Sequence, residues 1–174
     1  MTNFSAILIS WYHENKRDLP WRHTKDPYHI WLSEVMLQQT RVEQGLPYYL
    51  KFLDLFPSVF DLAAASEDQV LNAWKGLGYY SRARRLHATA KHTANDSQGR
   101  FPKSFAELKK LPGVGDYTAA AVASFCFKEA VPVVDGNVYR VLSRMFNIDS
   151  PIDKPSGKKE FFELASVLID QNKP

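Results

Sequence analysis

The sequence predicts an all-α fold, and three observations carry that expectation. Apolar residues recur at the i, i+3, i+4, i+7 spacing of a helix in one segment after another. Capping signals precede several of those segments: Asp26-Pro27, Ser66 with Gln69, and Ser104 with Glu107. Strand signals are almost absent, since Val131-Pro132-Val133-Val134 is the one β-branched run and its proline makes it a poor central strand.

Each element follows in order. Phe4, Ile7, Leu8 and Trp11 form a helical stripe expected to be buried. Asp26 as N-cap, with Pro27 in the first turn, opens a helix running to about Gln39. Another covers Glu43 to Leu55 and stops before Pro57. The Ser66–Gln69 box starts a short helix that Gly76 ends, and Tyr79 to Ala94 is helical by composition. The Ser104–Glu107 box starts a second short helix, ending at Leu111-Pro112-Gly113, and a helix from about Asp116 to Lys128 follows. Val138, Val141, Leu142 and Met145 form the next stripe; Phe161, Leu164, Ala165, Leu168 and Ile169 form the last.

The chain has 174 residues, 45% hydrophobic and 13% aromatic, enough for one core or for two small lobes sharing a cleft. It contains no apolar run near the ~20 residues that cross a bilayer, so no membrane is expected. Met1 to Ser10 lacks the basic start and cleavage site of a secretory signal. The lone cysteine, Cys126, cannot form a disulfide within the chain and reads as a small buried hydrophobe. Together these point to the cytoplasm or nucleoid. The net charge of +3 is mild, but Arg82, Arg84, Arg85, His87, Lys91 and His92 crowd one segment, with Lys109 and Lys110 before a glycine turn. Such clusters either neutralise phosphates or form a solvated helix face.

Three places carry chemistry. Gly113-Val114-Gly115 joins two expected helices: glycine allows close backbone approach, and the start of the second helix presents unpaired N–H groups. Such amides can hold a DNA phosphate without reading sequence, although a plain helical hairpin uses the same turn. Glu34 is the one charge in Ile30-Trp31-Leu32-Ser33-Glu34-Val35-Met36-Leu37. Burial there would keep its carboxyl protonated, as a general acid requires; the alternative is a core arginine that pairs with it. Asp135, between an apolar stretch and a new helix, is either only an N-cap or a carboxylate aimed at a cation. One neutral and one anionic carboxyl is the pattern that glycosidic bond cleavage needs.

Beyond these physical readings, five blocks resemble a known family. Leu19-Pro20-Trp21-Arg22, Trp31 through Thr40, Gly76 through Arg84, Leu111 through Ala119 and Val134 through Val138 resemble the A/G-specific adenine DNA glycosylases (MutY type) of the helix-hairpin-helix glycosylase superfamily. The resemblance spans nearly the whole chain, in order. It implies a complete six-helix-type lobe (about 20–127) and a partial second lobe (about 1–19 and 128–174) around a cleft.

The implied activity is base-excision repair, by hydrolysis of the N-glycosidic bond of adenine mispaired with 8-oxoguanine or guanine. Glu34 would protonate the extruded adenine, and Asp135 would stabilise or attack the sugar cation. Tyr117 would hydrogen-bond near Asp135, and Asn137 would hold the network. Trp21 and Arg22 would line the adenine pocket; Gln39 and Tyr79 would wedge into the base stack, with Thr40 and Leu77 near the opposite base. Gly113, Val114, Gly115 and Thr118 would meet a phosphate. The endonuclease III-like branch carries a lysine where Tyr117 stands; tyrosine forms no Schiff base, so a monofunctional enzyme without strong lyase activity is implied.

The family's [4Fe–4S] cluster needs four cysteines downstream of the aspartate, and this chain has only Cys126, so no metal site is expected here. A C-terminal module that inspects 8-oxoguanine is also missing, which reads as an amino-terminal portion of a longer enzyme. The expected partner is double-stranded DNA with an A·8-oxoG or A·G mismatch, bound by a monomer. Two rivals stay open: a non-catalytic helix-hairpin-helix DNA-binding module, and a related glycosylase acting on thymine or an oxidised pyrimidine.

Overall fold

The computed structural model describes residues 2–174, with side chains from Phe4 onward; Met1, part of the expected second-lobe segment, lies outside them. The described residues form helices α1 (Thr2–Asn15), α2 (Pro27–Leu37), α3 (Val42–Leu55), α4 (Val59–Ala64), α5 (Glu67–Trp74), α6 (Tyr80–Asp96), α7 (Phe105–Leu108), α8 (Asp116–Phe127), α9 (Gly136–Phe146) and α10 (Pro155–Leu168), with a 3-10 turn at Pro20–Arg22. No strand occurs among them.

Local chemistry sets most boundaries. The Asp26 carboxylate accepts the Tyr28 N–H at 2.8 Å and Pro27 occupies the first turn, so α2 starts where both signals place it. Ser66 and Gln69 form a reciprocal box at the start of α5. The Ser104 box is only half made: its hydroxyl accepts the Glu107 N–H, while the Glu107 carboxylate turns to Lys110 at 2.6 Å. α7 then ends at Leu108 rather than Leu111. Helix α4 was not anticipated. Its box pairs Ser58 with Asp61, outside the Ser-x-x-Glu/Gln pattern, and six residues are too few to display a period.

Two hydrophobic clusters result. The larger gathers buried residues from Leu19 to Ala123, with Trp31, Trp74, Tyr49, Phe52 and Met36 fully enclosed. α2 runs through it and is buried on most sides, which explains its nearly continuous apolar sequence. Phe52 meets Trp74 edge-on at 5.6 Å, and such aromatic pairs add about 1 kcal/mol to area burial. The smaller cluster joins α1, α9 and α10 through Leu142, Phe161, Ala165 and Leu168, with Phe4 against Phe146 at 5.5 Å. The Ser5 hydroxyl donates to the Leu168 carbonyl, tying α1 to α10.

Two stripes need correction. Phe4 is half-buried, but Ile7, Leu8 and Trp11 are exposed, as are Val141 and Met145 of α9. Each helix has the expected apolar periodicity, yet among the described residues nothing packs over these faces. Cys126 is half-buried against the large core, and burial pushes its thiol up to about 12, so it is inert as a nucleophile.

Candidate active site and nucleic-acid interface

Because α2 is enclosed, its one carboxyl is carried into the interior and emerges at the wall of a concave pocket. Tyr12, Trp21, Arg22, Lys25, Ile30 and Phe125 line this pocket with Glu34. Burial pushes the Glu34 carboxyl from its ordinary value up to about 6; a hydrogen bond from Tyr117 pulls it down, and the charge of Asp135 adds to the rise. No ion pair among the described residues involves Glu34. The core arginine that might have paired with it, Arg82, binds backbone carbonyls instead.

Tyr117 is the second residue of α8, the helix packed beside α2. Its hydroxyl was expected to bond near Asp135; the charges of both Glu34 and Asp135 act on it, that of Glu34 more strongly. Burial and the two carboxylates hold the phenol firmly protonated, well above its ordinary value. Asp135 caps α9: one carboxylate oxygen accepts the N–H groups of Asn137 and Val138, both at 2.9 Å, and the other accepts the Asn137 side-chain amide at 3.1 Å. The N-cap role and a role facing the pocket are therefore compatible. Capping fixes the carboxylate, and its charge raises the proton affinity of both Glu34 and Tyr117.

Trp21 is buried edge-on against Tyr49 at 5.1 Å and presents only part of its indole. Arg22 is exposed; its guanidinium donates to the Arg17 carbonyl at 2.9 Å and lies 5.4 Å from the Tyr12 ring centroid. Tyr12 and Phe125 were missed as pocket residues. Both belong to apolar helical runs in which a wall residue and a core residue look alike, and only packing separates them.

The DNA-facing expectations divide. Gln39 and Tyr79 are exposed and both adopt left-handed backbone, at φ 56° and 49°. Thr40 is half-buried, and Leu77 is buried in the core. In the glycine turn, Gly113 has φ +78°, whereas Gly115 is extended and caps α8. The Val114 N–H donates to the Leu111 carbonyl at 3.1 Å, and the Thr118 hydroxyl is buried, accepting from the Gln38 amide at 3.2 Å. The donors this turn leaves free are thus the first backbone N–H groups of α8, which have no acceptor within the helix.

The basic segment is likewise less open than its composition implies. Arg82 and His87 are buried, Arg84 pairs with Glu67 at 3.0 Å and His92 with Asp96 at 2.5 Å. Lys109 pairs with Asp116, and Lys110 with Glu107, each at 2.6 Å. Among the described residues of this surface, Arg85 and Lys91 remain exposed outside any ion pair, and Arg85 lies directly against Gly113.

One cysteine cannot ligate a [4Fe–4S] cluster, and the described residues contain no group of three or more His, Cys, Asp or Glu side chains able to hold a metal. No described helix is long and apolar enough to cross a membrane.

Comparison with known proteins agrees with this geometry. The family model described as "HhH-GPD superfamily base excision DNA repair protein" matches residues 32–167. The adenine DNA glycosylase of Buchnera aphidicola subsp. Baizongia pistaciae is 46% identical over 147 residues, 84% of this chain and 42% of that protein. The adenine DNA glycosylase of Mus musculus is 42% identical over 183 residues, 100% of this chain and 36% of that protein. This chain therefore spans less than half the length of either relative. A thermostable thymine-DNA glycosylase superposes with a TM-score of 0.89 at 31% identity, over 99% of this chain and 79% of that one. A trapped endonuclease III–DNA intermediate, 20% identical, shares the fold with a TM-score of 0.79, over 97% of this chain and 76% of that one. Helices α3 to α9, the glycine turn and the pocket carboxyl of Glu34 fall within the matched residues 32–167: the chain belongs to the HhH-GPD superfamily of base excision DNA repair proteins.

Proposed function

We propose that this chain carries the excision centre of an adenine DNA glycosylase, which hydrolyses the N-glycosidic bond of adenine opposite 8-oxoguanine or guanine in duplex DNA. The observation that carries this reading is Glu34: a carboxyl in a pocket wall, raised to about 6 by burial, on which Tyr117 and the charge of Asp135 both act. A proton available near neutral pH suits a leaving group that must depart as a neutral base. Asp135, held by the start of α9, supplies negative charge to the oxocarbenium-like sugar. Trp21, Arg22, Tyr12 and Phe125 supply walls for an extruded base. Gln39 and Tyr79 fill its vacated place in the stack, while Asn137 steadies Asp135.

Tyr117 supplies no amine, so strand cleavage through a Schiff base is not part of this chemistry. A docking module alone would need neither the buried Glu34 nor its neighbours. The relatives named for adenine, at 42% and 46% identity, favour adenine over the thymine named for the structural neighbour at 31%. The smaller cluster of α1, α9 and α10 we assign to a partial second lobe, completed in longer relatives by further chain. The enzyme would act as a monomer wherever the cell keeps its chromosomal DNA.

Single-turnover excision on A·8-oxoG and A·G duplexes tests the reading, using this chain and a version extended with a relative's downstream sequence. Glu34→Gln and Asp135→Asn should each remove excision while leaving DNA binding in place. Full activity in both variants would refute the assignment.

A further inference from the structure

The strongest feature outside the excision centre is the side chain of Arg82. It is a buried arginine, and none of the ion pairs among the described residues includes it. One guanidinium nitrogen donates to the carbonyls of Val35 (3.3 Å), Met36 (2.8 Å) and Gln38. The other donates to the carbonyls of Leu77 (3.4 Å) and Gly78 (3.3 Å). The first three belong to the carboxyl end of α2, where the last carbonyls lack helical partners and carry the negative end of the helix dipole. The last two belong to the turn before α6. The guanidinium also lies 5.3 Å from the Trp74 ring centroid and 5.4 Å from that of Tyr79.

Each segment so gripped ends in an exposed residue with left-handed backbone. Gln39 follows the Gln38 carbonyl directly, and Tyr79 follows Gly78 directly. Positive φ is unfavourable for non-glycine residues and persists only where surrounding structure holds it. Further bonds brace each turn. The Trp74 indole N–H donates to the Gly78 carbonyl at 2.9 Å, and the Gln38 amide reaches Thr118 at the start of α8. Yet among the described residues only the Arg82 side chain donates hydrogen bonds to both turns. A planar fork with donors on two edges suits that task; a lysine ammonium, with three donors at one point, cannot span both carbonyl groups.

We propose that Arg82 is a positioning residue that holds Gln39 and Tyr79 at a set separation as the two prongs that keep the target base extruded. It acts through them, from outside the pocket, without touching the reacting atoms. This rests on the base-extruding reading above, and it adds a claim that reading does not make: the two prongs are one coupled device. Burial lowers the guanidinium's proton affinity, yet carbonyl dipoles and ring faces compensate the charge locally, so the clamp needs no carboxylate that would repel DNA.

The test places 2-aminopurine at the target position opposite guanine and follows its fluorescence, which rises on unstacking, as this chain is added. Arg82→Lys should reduce the rise about tenfold, the effect of losing roughly one well-placed bond pair, while affinity for matched duplex and its salt slope stay within about twofold. In a Gln39→Ala/Tyr79→Ala background, Arg82→Lys should have no further effect, since the groups it positions are gone. A purely structural arginine would instead weaken matched-duplex binding as well and add its full effect in that background; either result overturns the proposal. If Arg82→Lys melts too low to assay, amide hydrogen exchange on the unaltered chain decides. Residues 38–40 and 77–80 opening as one unit supports the clamp, and independent opening overturns it. A rise in the unaltered chain with none lost in Arg82→Lys sinks this inference alone. No rise in the unaltered chain sinks the base-extruding reading, and this inference with it.

Discussion

The Tyr117 hydroxyl lowers the proton affinity of the Glu34 carboxyl, which couples the first turn of α8 to the middle of α2. Tyr117 favours the ionised form of Glu34, against burial and against the charge of Asp135, which both favour the protonated form. Two of these three effects can be removed by single substitutions, with opposite signs.

The pH profile of excision should report them. With Glu34 as general acid and its carboxyl at about 6, the single-turnover rate should fall about tenfold per unit on the alkaline side of that value. Tyr117→Phe removes a hydroxyl that lowers the Glu34 value, so the alkaline limb should move to higher pH. Asp135→Asn removes a charge that raises it, so whatever residual rate survives should show a limb at lower pH. Shifts in the reverse directions would contradict the arrangement.

The same carboxyl ties stability to pH. Its folded value of about 6 exceeds its ordinary 4.5, so its contribution is complete below about 4.5 and is lost as pH rises through about 6. The difference corresponds to about 2 kcal/mol. Glu34→Gln does not titrate there; relative to the unaltered chain it should gain stability by about that amount between pH 4.5 and pH 7.5, while losing excision. Urea denaturation at the two pH values measures the gain, and an equal difference at both would remove the linkage.

The two glycines of the helix-hairpin-helix turn should differ sharply. A Cβ at Gly113 would sit at φ +78° and 3.0 Å from the Arg85 Cβ, whereas at Gly115 nothing lies within 4 Å and the backbone is extended. Gly113→Ala should cost about 1–3 kcal/mol through strain, and Gly115→Ala should stay within about 0.5 kcal/mol. Chemical denaturation checks stability. Equal costs would show that the turn is not held in this shape.

Electrostatics give a fourth expectation. Binding to duplex DNA should weaken as salt rises, and Arg85→Ala should reduce the salt slope by about one. Lys110→Ala should change it less, because Lys110 already pairs with Glu107. Fluorescence anisotropy over a salt series separates the two, and a larger effect at Lys110 would move the phosphate track.

The legible parts of the fold were those with a local cause. The α2 start is set by Asp26 and Pro27, and the α5 start by Ser66 and Gln69, through bonds within three residues. Burial was less legible. The apolar faces of α1 and α9 have core periodicity, yet Trp11 and Met145 are exposed, because periodicity shows which face is apolar and not what covers it. Leu77 was placed near DNA by resemblance but is buried, and Arg82 was counted among phosphate-binding cations but is enclosed by carbonyls.

By itself, the sequence determined an all-α chain, a glycine turn that opens a helix, and a glutamate confined in an apolar helix. These depend on neighbours a few residues away, and a one-dimensional pattern records them. The tertiary structure decided that Tyr117 and Asp135 both act on Glu34, that Tyr12 and Phe125 wall the pocket, and that Arg82 spans two turns. Each depends on where α1, α2, α6, α8 and α9 lie against one another. That placement comes from burial summed over the whole core, so no single segment contains it.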